Sequence, residues 1–248
     1  MTSAASGAAR KRHHFRDYLN AHVLVMLALG FSSGLPFLLV GNTFGFWLAD
    51  EGTSLTAIGF ISWVGLAYSL KFVWSPLLDR LDVSGFMKLG HRRGWMILAQ
   101  LLTAAGLVAM AASGISHGLV WLGALALLVA FAASTQDIAI DAWRIESAKD
   151  ADELGLLTSA YTFGFRVALL CTDSLMLVSA QHLGWPASYT ICGALMGIGL
   201  VASLFAREPA RAQAVLDRQL AEKPLWSPRG FFDAVAGPFI VFFRTYGA

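Results

Sequence analysis

Five charged residues stand inside stretches that are otherwise apolar: Lys71, Asp137, Asp141, Arg166 and Asp173. A charge placed in hydrocarbon costs several kcal/mol, so such groups face a cavity, pair with one another, or act on a ligand or ion. Asp137 and Asp141 are four residues apart and share one helix face. Lys71 falls at a comparable depth, which makes a Lys71–Asp137 pair sterically reasonable. Asp137 fits a coupling or gating role, and Arg166 a substrate or gating role. Asp173 lies seven residues beyond Arg166 on the same face, placed to pair with it or to stand at a mouth. Blander readings fit some of these residues equally well. Lys71 can snorkel toward headgroups, and Asp141 with Arg144 can be an interfacial ion pair.

The elements that carry these groups are membrane spans. A helix needs about 20 mostly apolar residues to cross a bilayer. Six stretches qualify: 22–48, 55–78, 94–115, 118–141, 154–181 and 187–206. The chain is 56% hydrophobic and only 14% charged, with a mean hydropathy of +0.61. Soluble domains carry about 25% charged residues, so the composition excludes most soluble readings. The fold class read here is an all-α integral membrane domain of six helices. A basic tail (1–21) precedes the six-helix unit (22–206), and a polar linker with an amphipathic segment (207–248) follows it. The apolar run after the basic tail is too long for a secretory leader and has no early small-residue cleavage site, so the first span is expected to stay.

Lys and Arg fix the orientation. Arg10, Lys11, Arg12 and Arg16 lie in the tail. Arg80, Lys88, Arg92 and Arg93 lie in the second connection between spans, Arg144 and Lys149 in the fourth, and Arg207, Arg211, Arg218, Lys223 and Arg229 after the sixth span. The remaining connections hold none, which puts both ends of the unit in the cytoplasm. Trp47, Trp121 and Trp185 fall near the outer span ends, where an interfacial aromatic belt is expected. Asp150 with Glu153 three residues on makes an Asp version of the capping box at the start of the fifth span.

Polarity is unevenly distributed among the spans. The first carries Ser32, Ser33, Asn42 and Thr43 around Gly30, Gly34, Pro36 and Gly41. Two readings stay open for it: close packing through small residues, or a broken helix lining a path. The third and sixth spans hold no charge, so spans one, two, four and five are expected to surround a polar cavity, with three and six outside. At the second connection, Asp79 and Arg80 close one helix, and Arg92 and Arg93 open the next. An aspartate at a helix C-terminus wants a cation, and such a cluster can latch a gate.

That connection, Asp-Arg followed by Gly-x-Arg-Arg, resembles the signature of the major facilitator superfamily. Ser75 replaces the glycine that often opens the motif, and the connection is longer than usual. Four stretches in order resemble the AmpG-type muropeptide permeases more specifically: Leu29 to Pro36, Lys71 to Arg80, Arg92 to Trp95, and Gln136 to Trp143. The resemblance implies a twelve-helix fold of two six-helix halves, of which this chain supplies the N-terminal one. It implies proton-driven uptake of anhydro-muropeptides across the inner membrane, serving peptidoglycan recycling and β-lactamase induction. Asp137, then Asp141, would carry the proton, and Arg166 would meet a substrate carboxylate. Asn42, Ser33, Lys71 and Asp173 would line the cavity. The expected partners are lipid, protons, the muropeptide, and a C-terminal half or second six-helix unit. The same broad family also offers acetyl-CoA or another anionic metabolite as substrate, and a non-transporting membrane sensor is the reading from a different class.

Several classes are set aside by what the sequence lacks. The net charge of +2 gives no sign of nucleic-acid binding. Cys171 and Cys192 lie in apolar runs without metal-ligand or disulfide spacing. No Ser/His/Asp or HExxH arrangement appears, so neither an enzyme nor a cofactor or metal protein is expected.

Overall fold

In hydrocarbon, backbone N–H and C=O groups must be satisfied along their own segment, and the described residues answer with helices and no strand. The computed structural model describes residues 20–81, 89–209, 240 and 243–245, less the side chains of Phe60, Ile61, Ser62, Ala67, Leu77 and Arg80. The basic tail, most of the linker and the Arg80 side chain lie outside the described residues.

Five helical rods are long and apolar enough to cross a membrane: α1 (Ala21–Asp50), α3 (His91–Ser113), α4 (Leu119–Ser147), α5 (Ala151–Leu183) and α6 (Trp185–Phe205). The second stretch, α2, is a succession of shorter pieces: Leu55–Ile61, a 3₁₀ turn Ser62–Gly65, Leu66–Ser69 and Lys71–Arg80. Gly65, a poor helix propagator, stands at the junction of the 3₁₀ turn and the piece that follows it.

The first span, α1, both breaks and packs closely through small residues. It breaks into Ala21–Leu39 and Asn42–Asp50 at Val40–Gly41. It also packs tightly on α5 through small residues. A Cβ on Gly34 would lie 2.7 Å from the Phe165 carbonyl, and one on Gly164 would meet the Leu27 carbonyl. Replacing Gly164 by valine therefore forces α1 and α5 apart. The expected loss is about 1–3 kcal/mol, typical of overpacking, read as a lower midpoint in thermal unfolding of the detergent-solubilised chain.

The α1 break faces an irregularity in α5, a single π turn over Cys171–Leu175. Each exposes a backbone acceptor, and each finds a side-chain donor on a neighbouring helix. Tyr189 Oη donates to the Leu39 carbonyl at 2.7 Å, and Thr43 Oγ1 donates to the Thr172 carbonyl at 3.1 Å. The start of α5 follows the expected cap, with Glu153 N donating to Asp150 Oδ1 at 2.8 Å.

One expectation about position is corrected. Trp47 and Trp185 are not belt residues: they are 1% and 8% exposed and stack on one another with Tyr189 in the core. Only Trp121 of the three faces outward. As expected, α3 stands outside the group of helices that carries the intramembrane charges. It lies between α4 and α6 and buries Gln100 and Thr103 completely, with Gln100 Oε1 accepting from Ser203 Oγ at 2.9 Å. Half of the α3 apolar window is buried, against 22% for α5, so α5 has the open face. Hydropathy ranks α3 as lipid-compatible, but its small Gly106 admits Val129 of α4 and draws the two helices together.

Candidate functional site

Four helices, α1, α2, α4 and α5, bring their polar groups to one place. At a rise of about 1.5 Å per residue, Ser33, Asp137 and Tyr161 all lie roughly 15–18 Å from the same end of the bundle. Asp137 is 7% exposed, and its carboxylate accepts a hydrogen bond from Ser33 Oγ. A serine hydroxyl has one proton to give. Tyr161 Oη, 2.9 Å from Ser33 Oγ, must therefore be the donor in that second bond.

Lys71 Nζ completes the cluster from α2, at 4.0 Å from Asp137 Oδ2 and 3.8 Å from Asp141 Oδ2. Asp141 is shared, because Arg144 Nη2 lies 2.9 Å from its other oxygen. The Arg144 guanidinium also sits 5.0 Å over the Tyr161 ring. The result is a closed circuit: Lys71, Asp137, Ser33, Tyr161, Arg144, Asp141 and back to Lys71. Such a circuit can hold or release a proton at Asp137 while Lys71 exchanges between two carboxylates.

The sequence-expected residues divide accordingly. Ser33, Lys71, Asp137 and Asp141 are brought together. Arg166 and Asp173 are not paired with one another: both are exposed on the open face of α5, further toward the opposite end. Asn42 is exposed at the start of the second α1 segment. Tyr161 was missed altogether, since a tyrosine in an apolar span gives no charge signal. Replacing it by phenylalanine removes one hydrogen bond and keeps the ring under Arg144. About 1 kcal/mol of stability should be lost, measurable by thermal unfolding, and the loss should vanish in a Ser33→Ala background.

A second cluster closes the end of the bundle where α2 finishes and α3 begins. Arg92 is 4% exposed and grips two carboxylates. Its Nη1 lies 2.7 Å from Asp79 Oδ1, its Nη2 2.6 Å from Glu146 Oε1, and its Nε 3.1 Å from Glu146 Oε2. Asp79 thus finds the cation it was expected to need. Arg93 points elsewhere, donating to the Leu204 and Ser203 carbonyls at 2.7 and 3.2 Å and closing the C-terminus of α6. Glu208 accepts from the backbone N–H groups of Arg92 and Arg93 at 2.8 and 3.1 Å. It packs against Gly90, whose φ of 95° and lack of a Cβ the arrangement requires.

This network corrects two span boundaries. The third helix starts at His91 rather than Gly94 and so holds two arginines, because Glu208 caps it and Arg92 is neutralised within the protein. The fourth runs on to Ser147, because Arg144 and Glu146 are paired and Trp143 is buried.

The family profile described as the Major Facilitator Superfamily matches residues 15–247. The chain belongs to the major facilitator superfamily. It is a multi-pass membrane protein, and as a superfamily member it has well-matched relatives. It is 36% identical over 197 residues to the anhydromuropeptide permease of Escherichia coli K12, covering 79% of this chain and 39% of that protein. It is 35% identical over 229 residues to an uncharacterized protein of Haemophilus influenzae, covering 91% of this chain and 50% of that one. The chain therefore spans about half or less of the length of the curated relatives it matches. The circuit and the arginine cluster both lie in the superfamily's helical bundle, on one six-helix unit.

Proposed function

We infer that the chain is the N-terminal half of a proton-coupled carrier of anhydro-muropeptides, working with a second six-helix unit. The carrier sits in the inner membrane with the N-terminus of this half in the cytoplasm, and it imports GlcNAc-anhydroMurNAc and its peptides for peptidoglycan recycling and β-lactamase induction. The substrate class rests on the likeness to the E. coli permease. Proton coupling rests on one observation: a buried carboxylate, Asp137, held by Ser33 and facing Lys71 where four helices meet. The open face of α5, with Arg166 and Asp173 on it, supports a second unit completing the cavity.

The physical logic is a competition for Lys71. With Asp137 ionised, Lys71 lies between two carboxylates and ties α2 to α4. Protonation of Asp137 leaves Lys71 to Asp141, which loosens that tie and lets the two helices move relative to each other. A carboxyl exposed alternately to the two sides would then carry one proton inward with each substrate.

The test is uptake of radiolabelled GlcNAc-anhydroMurNAc by cells lacking their own muropeptide permease. Uptake should require this chain joined to a C-terminal half from a relative and should collapse with a protonophore. Absence of uptake by a joined protein shown to be folded and inserted would reject the substrate assignment. Uptake by the chain alone would instead mean that two copies form the working unit.

A further inference from the structure

Away from the circuit, the ends of three helices enclose a cavity of about 1060 Å³ between α1, the start of α5, and α6. Its walls are apolar, formed by Leu24 and Ala28 on α1 and by Ile198, Val201 and Phe205 on α6. These side chains are open to the surroundings: Leu24 is 50% exposed, Ile198 42% and Val201 54%. Gly197 lines the groove on α6, and a Cβ there would meet nothing within 4 Å. From Ile198 to Phe205 the groove runs about 10 Å along the helix axis, parallel to the acyl chains of a bilayer.

The mouth of the groove is chemically different from its walls. Lys149 lies between α4 and α5, and Arg207 lies just past the end of α6. Both are exposed and form no ion pair among the described residues. The one carboxylate among the described residues that line the groove is already engaged. Glu153 accepts from Lys149 N at 3.0 Å and stands 3.6 Å from His22 Nδ1. Two cations at the level where helices end, above an apolar trough in the hydrocarbon, match a lipid with an anionic headgroup.

We propose that this groove is a binding site for an anionic phospholipid, with an acyl chain lying between α1 and α6 and the phosphate held by Lys149 and Arg207. Nothing in the transport circuit takes part, so the site is a structural or regulatory lipid contact rather than a path for substrate.

The experiment is native mass spectrometry of the full chain in detergent, titrated with phosphatidylglycerol or with phosphatidylcholine of identical acyl composition. Phosphatidylglycerol adducts should exceed phosphatidylcholine adducts by at least about fivefold, the factor one basic side chain contributes beside an anionic headgroup. The double variant Lys149→Gln/Arg207→Gln should lose this preference while still binding lipid. Gly197→Leu, whose Cβ enters open space on the α6 wall, should reduce adducts of both lipids, with helicity by circular dichroism unchanged in each variant. Equal binding of the two lipids, or an undiminished preference in the double variant, would overturn the proposal. So would the absence of both adducts, which would mean that another part of the protein fills the groove.

Discussion

Replacing Asp137 by asparagine is expected to abolish proton-driven accumulation of muropeptide in the joined carrier while leaving the protein folded. The amide cannot exchange a proton, but Oδ1 still accepts from Ser33. Lys71 keeps Asp141 as a partner at 3.8 Å, so no buried cation is stranded. The cost in stability should therefore stay near the 1 kcal/mol of an ordinary hydrogen-bond change. Accumulation against a gradient should fall to that of cells without the carrier, whereas exchange of labelled for unlabelled substrate should persist. Exchange lost together with accumulation would mean that Asp137 binds substrate or holds the fold. Accumulation retained would move the proton to Asp141 or to the other half.

The largest effect on stability is expected at Arg92. Replacing it by leucine strands Asp79 and Glu146 without their shared cation, and breaking a buried pair from one side costs about 3–5 kcal/mol. For a domain of this size that corresponds to a fall in melting temperature of about 10 °C. Lysine should recover only part of the loss, since an ammonium cannot reproduce the paired bonds of the guanidinium to Glu146. Removing both charges with Arg92→Leu/Glu146→Leu should cost less than the sum of the singles, because the second change also removes the stranded carboxylate. Additive losses would show that the short distances between Arg92 and Glu146 carry no coupling energy.

Much of the circuit's membership was visible along the chain, because charge inside an apolar run is costly and therefore conspicuous. That reasoning selected Lys71, Asp137 and Asp141, and it also put Asp79 in need of a cation. It did not select Tyr161, Glu146 or Glu208. A buried tyrosine is cheap in an apolar span, and acidic residues beyond a predicted span end look like ordinary loop residues. The same reasoning overvalued a link between Arg166 and Asp173. Their spacing of seven places both on one face of a regular helix, but being on one face does not make them partners, and both remain exposed.

The sequence by itself determined that this chain is a helical membrane domain, roughly where its spans lie, and which of them carry polar groups. Those properties follow from the transfer cost of each residue and can be summed locally. Tertiary structure alone decided which helices touch. Glycines at 30, 34 and 164 let α1 and α5 approach backbone to backbone, which sets Ser33 beside Tyr161. It also turned Trp47 and Trp185 inward, set α3 against α4 and α6, and lengthened α3 and α4 by burying the charges at their ends. Hydropathy measures affinity for lipid. The complementary shapes of small and large residues decide which apolar surface meets another helix instead.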